Sequence, residues 1–438
     1  MTLLWLSRQL WRHRVKGLLV TLVVTVVLML LAIQSLQPDR NRRPTAEKRT
    51  SHEDDRRAAA TTDVRPIPED PGKARPHTST RGHPTESKRR RPPPLAFLKI
   101  HKTGSSTVQN LLFRLGEKEK AAFAFPYYTY QFAYPERFRS QFVDELPEGA
   151  AQFDILCSHM RLDLAQLRQV MPQNTVFFTL LRDPVRTFES VFSYFTATVP
   201  AFAQAKAAAA VARKSALSVF LESPESFWDP GEIRNGLAKN PMCFDLGLNS
   251  QGWNASWPED LAQLEDAFQL VMIAEHFDES LVLLGALLGL DHEDLAYVRL
   301  NARSAGSVAT LDEGTVGRLR SWNALDVLLY DFFLQLFWEK AELYGLDRLE
   351  RDAALLREAA ERLRQTCVAR RGVPPGDLED LLRPWQTDTA TVVGYELRAN
   401  LSQQQQGRCV RLTLPELQYH AHLYFLQYGR DMRSAPTH

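Results

Sequence analysis

Thr175-Val176-Phe177-Phe178-Thr179-Leu180-Leu181-Arg182-Asp183-Pro184 is the stretch that decides the fold class. Its first seven residues are a continuous run of β-branched, aromatic and aliphatic side chains. Such a run reads as a strand buried on both faces, the pattern of a parallel sheet. Pro184 then predicts a helix through Phe195, because at the first helical position its missing N–H removes no bond and its fixed φ is already helical. The same grammar recurs upstream. Ala96 to Ile100 is a short apolar strand with Lys99 as its polar break, and after a loop a helical pattern runs from Ser106 to Leu115. Phe153 to Cys157 is a further short strand. Strand, loop and helix in succession, twice, predict an α/β fold: a central parallel sheet flanked by helices through right-handed crossovers. The second half reads as largely helical. Thr310 and Glu313 form a capping box ahead of the apolar stretch Val316 to Tyr344, and Leu349 to Arg371 is a charged amphipathic helix. No internal repeat points to a solenoid or propeller.

The 438 residues, 44% of them hydrophobic, suffice for a sizeable core beside a non-globular segment. A net charge of +1, from 53 Lys plus Arg against 52 Asp plus Glu, provides no global field for nucleic acid, and none is expected as a partner. Basic residues do cluster at the amino terminus. Arg8, Arg12, Arg14 and Lys16 precede an uncharged run from Gly17 to Ile33, 17 residues long, near the lower limit for crossing a hydrocarbon core of about 30 Å. No small-x-small cleavage site follows, so a retained signal anchor is preferred to a cleaved peptide. The upstream charges place residues 1–16 in the cytosol, although Arg40, Arg42 and Arg43 weaken the asymmetry. From Pro38 to Pro94 the chain is rich in Pro, Arg, Thr and acidic residues and cannot bury a core. The expected organisation is therefore a tail at 1–16, a span at 17–33, a lumenal stem at 34–94, a catalytic domain at 95–430 and a short tail at 431–438. Such a short span suits a thin early-secretory bilayer.

The four cysteines, Cys157, Cys243, Cys367 and Cys409, fit no zinc spacing. In an oxidising lumen Cys367 with Cys409 is the preferred pair, since both lie in the carboxy-terminal part; buried free thiols are the alternative, above all for Cys157. Asn254-Ala255-Ser256 and Asn400-Leu401-Ser402 are acceptors for N-glycosylation, in keeping with a lumenal domain.

The chemistry concentrates in Phe97-Leu98-Lys99-Ile100-His101-Lys102-Thr103-Gly104-Ser105-Ser106-Thr107. A Gly/Ser/Thr loop between a strand and a helix start aims backbone N–H groups at one point, where the helix dipole also favours an anion, and Lys102 adds a full charge. Walker A spacing is absent, which disfavours an ATP or GTP hydrolase. Arg182 provides a planar fork suited to phosphate, and Ser190, eight residues later, brings a hydroxyl from the next helix. Taken singly, the loop is an ordinary helix cap and Arg-Asp-Pro an ordinary turn. It is their order, each behind a buried strand, that points to a nucleotide anion.

The first segment resembles the 5′-phosphosulfate-binding loop of the sulfotransferases, and its form His-Lys-Thr-Gly-Ser-Ser-Thr looks most like that of the galactose 3-O-sulfotransferase family. Leu181-Arg182-Asp183-Pro184 with Ser190 is similar to that family's 3′-phosphate-binding element. Weaker matches are Phe123-Ala124-Phe125-Pro126, Asn240-Pro241-Met242-Cys243-Phe244-Asp245-Leu246-Gly247 and Leu300-Asn301-Ala302-Arg303. The resemblance implies a P-loop-NTPase-like sulfotransferase fold in the Golgi, with 3′-phosphoadenosine 5′-phosphosulfate (PAPS) as donor and no metal. It implies that Lys102, Thr103, Gly104, Ser105, Ser106 and Thr107 hold the phosphosulfate, and that Arg182, Ser190 and Arg303 hold the rest of the donor. Lys102 is expected to stabilise the leaving oxygen. His159 is placed first as general base, by its similarity to the histidine of the uronyl 2-O-sulfotransferases, with His101 second. The implied acceptor is the 3-hydroxyl of terminal β-galactose on glycoprotein, glycolipid or oligosaccharide. Another sugar hydroxyl, or an inactive glycan-binding paralogue, stays open as the alternative, and a phosphate-handling kinase accounts for the first loop alone. Trp253, Trp257 and Tyr127 to Tyr130 are candidate sugar platforms, though aromatics in such a domain are more often core.

Overall fold

The computed structural model describes residues 92–304, 306 and 308–433. The expected tail, span and stem up to residue 91, and the last five residues, lie outside the described residues. Among those described, no helix is long and apolar enough to cross a membrane.

The elements are, in order, β1 (Leu95–Leu98), α1 (Ser105–Glu119), β2 (Ile155–Leu156), α2 (Leu164–Val170), β3 (Val176–Leu181), α3 (Pro184–Phe195), α4 (Pro200–Ala212), α5 (Ala216–Glu222), α6 (Pro241–Asp245) and α7 (Trp257–Ala267). They continue as β4 (Leu270–Ile273), α8 (Phe277–Leu288), α9 (His292–Leu295), α10 (Glu313–Trp322), α11 (Ala324–Tyr344), α12 (Leu346–Cys367), β5 (Val368–Val373), β6 (Gly394–Leu397), α13 (Gln403–Thr413) and α14 (Glu416–Tyr428).

The expected α/β fold is the one formed. Four parallel strands run in the order β2-β1-β3-β4, with Phe97 opposite Phe178 and Thr179 opposite Val271. β3 is central and buried because its run has no polar face to offer water. Phe97 and Phe178, both fully buried, stack at 5.1 Å across the β1–β3 pair, each contributing about 2–3 kcal/mol of burial. Within β3, Thr179 Oγ1 donates to the Leu98 carbonyl at 2.8 Å. α3 spans Pro184 to Phe195 as expected, with Asp183 as its cap accepting from the Arg186 N–H at 2.9 Å.

Three expectations change. The cap ahead of the helical stretch is Asp312, which accepts from the Thr315 N–H at 2.9 Å, and not Thr310. The stretch itself breaks at Asn323, whose side-chain oxygen accepts from the Asn240 N–H at 2.8 Å; the Asn240 side chain in turn accepts from Leu325 N–H at 3.1 Å. The helix predicted to Arg371 ends at Cys367 and turns into β5, because Cys367 is bonded to Cys409 and the following residues pair antiparallel with β6. The preferred disulfide is therefore present, while Cys157 and Cys243 are buried free thiols. β4, a fully buried Leu-Val-Met-Ile strand, escaped the sequence reading.

Candidate active site

Everything implicated in chemistry gathers beyond the carboxyl ends of β1 and β3, where an open parallel sheet places its ligands. A cavity of about 970 Å³ lies there. His101, Lys102, Thr103, Gly104, Ser105, Ser106, Thr107, His159, Arg182, Ser190 and Arg303 all line it, so the candidates for donor binding and for the base fall in one place; of the aromatic sugar candidates Tyr130 lines it too, whereas Trp257 is core and Trp253 lies exposed elsewhere. Asn254 and Asn400 lie elsewhere, exposed in loops.

The loop after β1 is built as a cradle. Lys102 has φ 60° and Gly104 φ 93°, a left-handed turn that only Gly adopts freely, and it aims the start of α1 into the cavity. Gly104 caps α1 with no side chain, so the first-turn N–H groups meet no protein acceptor from the cap. The loop's hydroxyls brace it from behind: Thr103 and Ser105 donate to the Ile100 carbonyl at 3.2 and 2.7 Å, and Thr107 Oγ1 accepts from the Leu300 N–H at 3.0 Å. The Thr107 N–H bonds the Gly104 carbonyl at 3.2 Å, which leaves the donors before it to face a ligand. Arg182 closes the turn, donating to the Lys102 carbonyl at 3.1 Å. Ser190 sits one helix face away on α3, buried. Lys102 Nζ rests 3.7 Å from the centre of the Tyr194 ring. Burial, then the charges of Arg303, Lys99 and Arg182, pull the Lys102 ammonium down to about 7, against a smaller opposing effect of Glu416. Such a cluster of cations favours an anion in the cavity. Arg303 differs from the others, since its fork already grips Glu189, with Nη1 3.1 Å from Oε1.

The two histidines stack face to face, 3.9 Å between ring centres, but they are wired differently. His159 Nδ1 lies 2.8 Å from the Lys99 carbonyl, which can only accept, so Nδ1 carries the proton. Its Nε2 then accepts from Lys99 Nζ at 2.9 Å. Burial first, then the neighbouring His101 and Lys99, hold His159 well below its ordinary value, so this ring is neutral. His101 Nδ1 faces Asp245 Oδ2 at 2.9 Å, and the same oxygen accepts from the His101 backbone N–H at 2.8 Å. With Nδ1 donating to a carboxylate, Nε2 of His101 is left with the lone pair, and His101 lines the cavity. Tyr134 donates to Asp245 Oδ1 at 2.8 Å, and burial together with that carboxylate keeps its phenol protonated.

Sequence reasoning noted Lys99 only as a break in a strand and left Asp245 between binding sugar hydroxyls and capping a turn. Lys99 is 1% exposed, and its ammonium meets Glu416 Oε2 at 2.6 Å. Glu416, which also accepts from Ser106 Oγ at 3.2 Å, was not singled out at all. A lysine in an otherwise apolar strand was the available signal, because such a residue must find a buried counter-charge. Asp245 is held by the α6 segment, whose Met242 and Cys243 N–H groups donate to Asp326 of α11 at 3.1 and 2.8 Å. Among the described residues no cluster of three or more His, Cys, Asp or Glu is placed to hold a metal.

A parallel sheet whose first strand ends in a lysine-bearing backbone cradle, and whose next strand ends in an arginine fork, defines the class of transferases that grip a nucleotide by its phosphates. The sequence matches the family described as galactose-3-O-sulfotransferase over residues 2–427. It is 39% identical over 331 residues to the galactosylceramide sulfotransferase of Homo sapiens, covering 74% of this chain and 76% of that one. It is 39% identical over 358 residues to galactose-3-O-sulfotransferase 3 of Mus musculus (78% and 80%) and 41% identical over 344 residues to galactose-3-O-sulfotransferase 2 of Homo sapiens (76% and 83%). The chain belongs to the galactose-3-O-sulfotransferase family, the PAPS-dependent carbohydrate sulfotransferases that act on galactose.

Proposed function

We propose that this enzyme moves the sulfuryl group of PAPS to the 3-hydroxyl of a terminal β-galactose on glycoprotein, glycolipid or oligosaccharide acceptors, with His101 as the base. The observation that carries the reading is the buried Asp245–His101 pair, whose histidine lines the same cavity as Lys102. Asp245 fixes the tautomer and stabilises the imidazolium that forms as Nε2 takes the acceptor's hydroxyl proton, the division of labour of an Asp–His couple. His159, placed first by resemblance, instead packs under His101 as a neutral plate, its own Nε2 held by Lys99. The α1 N-terminus and Lys102 hold the 5′-phosphosulfate, and Lys102 stabilises charge on the departing phosphate oxygen. Arg182 and Ser190 take the 3′-phosphate that separates this donor from ATP, and Arg303 orders that side of the cavity through Glu189. The donor, when bound, supplies an activated sulfuryl group and a good leaving group.

The reading includes a Golgi enzyme held by a single span at 17–33, with residues 1–16 cytosolic, 34–94 a lumenal stem, 95–430 catalytic and 431–438 a tail. Sulfur-labelled PAPS and a panel of β-galactosides test the chemistry, with Lys102→Ala and Arg182→Ala as controls. Label entering the 3-position only in wild type supports it; no transfer to any β-galactoside refutes it. Glycosidase-sensitive mass at Asn254 and Asn400 in cells tests the topology, and unmodified sequons in the membrane-bound chain count against a lumenal domain.

A further inference from the structure

A second cavity, of about 610 Å³, lies on the far side of the Phe244–Gly247 segment from His101. Asp245 turns inward to His101, while its neighbours Phe244 and Gly247 line this second space. Two arginines reach it. The Arg161 guanidinium lies 4.2 Å above the centre of the Phe244 ring, and its Nε is buried with no hydrogen-bond partner. Arg137 is its immediate neighbour through the Arg137–Arg161 backbone bridge and donates to the Gly247 carbonyl. Among the described residues neither has a carboxylate partner. Burial first, then the adjacent Arg137 charge, hold the Arg161 guanidinium below its ordinary value, against smaller opposing effects of Tyr134 and the Asp245 carboxylate. Arg161 is half-buried and Arg137 exposed beside it, and two like charges held together favour an anion that joins them.

The acids lining the same space are otherwise engaged. Asp163 caps α2, accepting from the Gln166 N–H at 3.1 Å; Glu232 pairs with Arg234 at 2.6 Å; Asp260 accepts from the Ser256 hydroxyl at 2.9 Å. The partly buried Trp228 and the planar amides of Asn249 and Gln251 complete the wall, a mixture of flat apolar and hydrogen-bonding surface that suits a sugar ring.

We propose that this cavity is a second glycan subsite, in which Arg137 and Arg161 bind a sulfate or carboxylate carried by an acceptor sugar other than the galactose being modified. Planar guanidinium forks match both oxyanions, and one sugar unit fits the volume. The inference rests on the galactoside reading above and gives that acceptor a preferred chemistry. Occupancy fixes Phe244 and Gly247, and so the segment that presents Asp245 to His101.

The test compares a neutral β-galactosyl disaccharide with the same disaccharide bearing a sulfate on its second sugar, using full-length enzyme in detergent. Wild type is expected to favour the sulfated acceptor roughly tenfold in kcat/KM, and Arg161→Gln or Arg137→Gln to abolish the preference while leaving the neutral acceptor within about twofold. Calorimetric binding of the sulfated disaccharide, lost in both variants, reads the cavity even without turnover. Equal kcat/KM for both acceptors with no arginine-dependent binding overturns the subsite. Inorganic sulfate binding as tightly as the sulfated disaccharide overturns the glycan-borne assignment. If the neutral galactoside is not sulfated at all, the galactoside reading fails, and the binding measurement still decides the subsite.

Discussion

Asp245→Asn is the substitution that most directly tests how the site works. The side chain is fully buried and one of its oxygens takes both the His101 backbone N–H and Nδ1, at 2.8 and 2.9 Å. The amide is nearly isosteric, so packing survives and charge is what changes. Taking about 4 Å between charge centres and an effective dielectric near 20, the ion pair that forms in the transition state is worth roughly 4 kcal/mol, or about 10³ in rate. If the new NH₂ turns toward Nδ1, the basic nitrogen moves to the wrong side of the ring, which takes the loss toward ~10⁴. The expected result is a fall in kcat of about 10³–10⁴ with the KM for PAPS unchanged, since Asp245 is not part of the phosphate cradle. Single-turnover transfer of labelled sulfur measures this, with thermal unfolding as the check on folding. A kcat within tenfold of wild type refutes the assignment. Full loss in His159→Gln alongside a near-normal Asp245→Asn returns the base to His159.

Lys102, held at about 7, makes donor binding depend on pH. The anionic donor prefers the ammonium form, so affinity falls as pH rises through about 7, and binding at alkaline pH takes up a proton. Calorimetry in buffers of different ionisation heat reads the uptake; its absence in wild type, or its persistence in Lys102→Met, counts against the placement. Because the folded value lies below the unfolded 10.5, the folded state holds fewer protons between about 7 and 10.5, and this residue's contribution to stability grows as pH rises across that window. Glu416→Gln leaves the Lys99 ammonium buried without its counter-charge and is expected to cost about 3 kcal/mol, measured by denaturant unfolding; Lys99→Met in the same chain should recover most of it, and a loss below about 1 kcal/mol removes the pair from the list of stabilising contacts. Reducing the Cys367–Cys409 bridge, whose partners are 42 residues apart, frees a loop worth about 4 kcal/mol of chain entropy. Unchanged melting of Cys409→Ser would show that the β5–β6 hairpin is held by its own packing.

What was legible in the chain was what depends on neighbours in sequence. The β3 run could only be buried, Pro184 could only start a helix, and the residues from Lys102 to Thr107 form their cradle from consecutive backbone groups, so strand, helix start and anion loop are local physics. Lys99 with Glu416 spans 317 residues and His101 with Asp245 spans 144, and no pattern of periodicity couples such positions. The break at Asn323 is likewise tertiary, since Asn240 takes up its side chain and supplies the acceptor for the next helix start. The sequence by itself determined three strands of the sheet, the Lys102–Thr107 loop and, through the family it matches, the kind of donor. Tertiary structure alone decided which histidine keeps a free lone pair, because that depends on the carboxylate and the ammonium that folding sets beside two stacked rings.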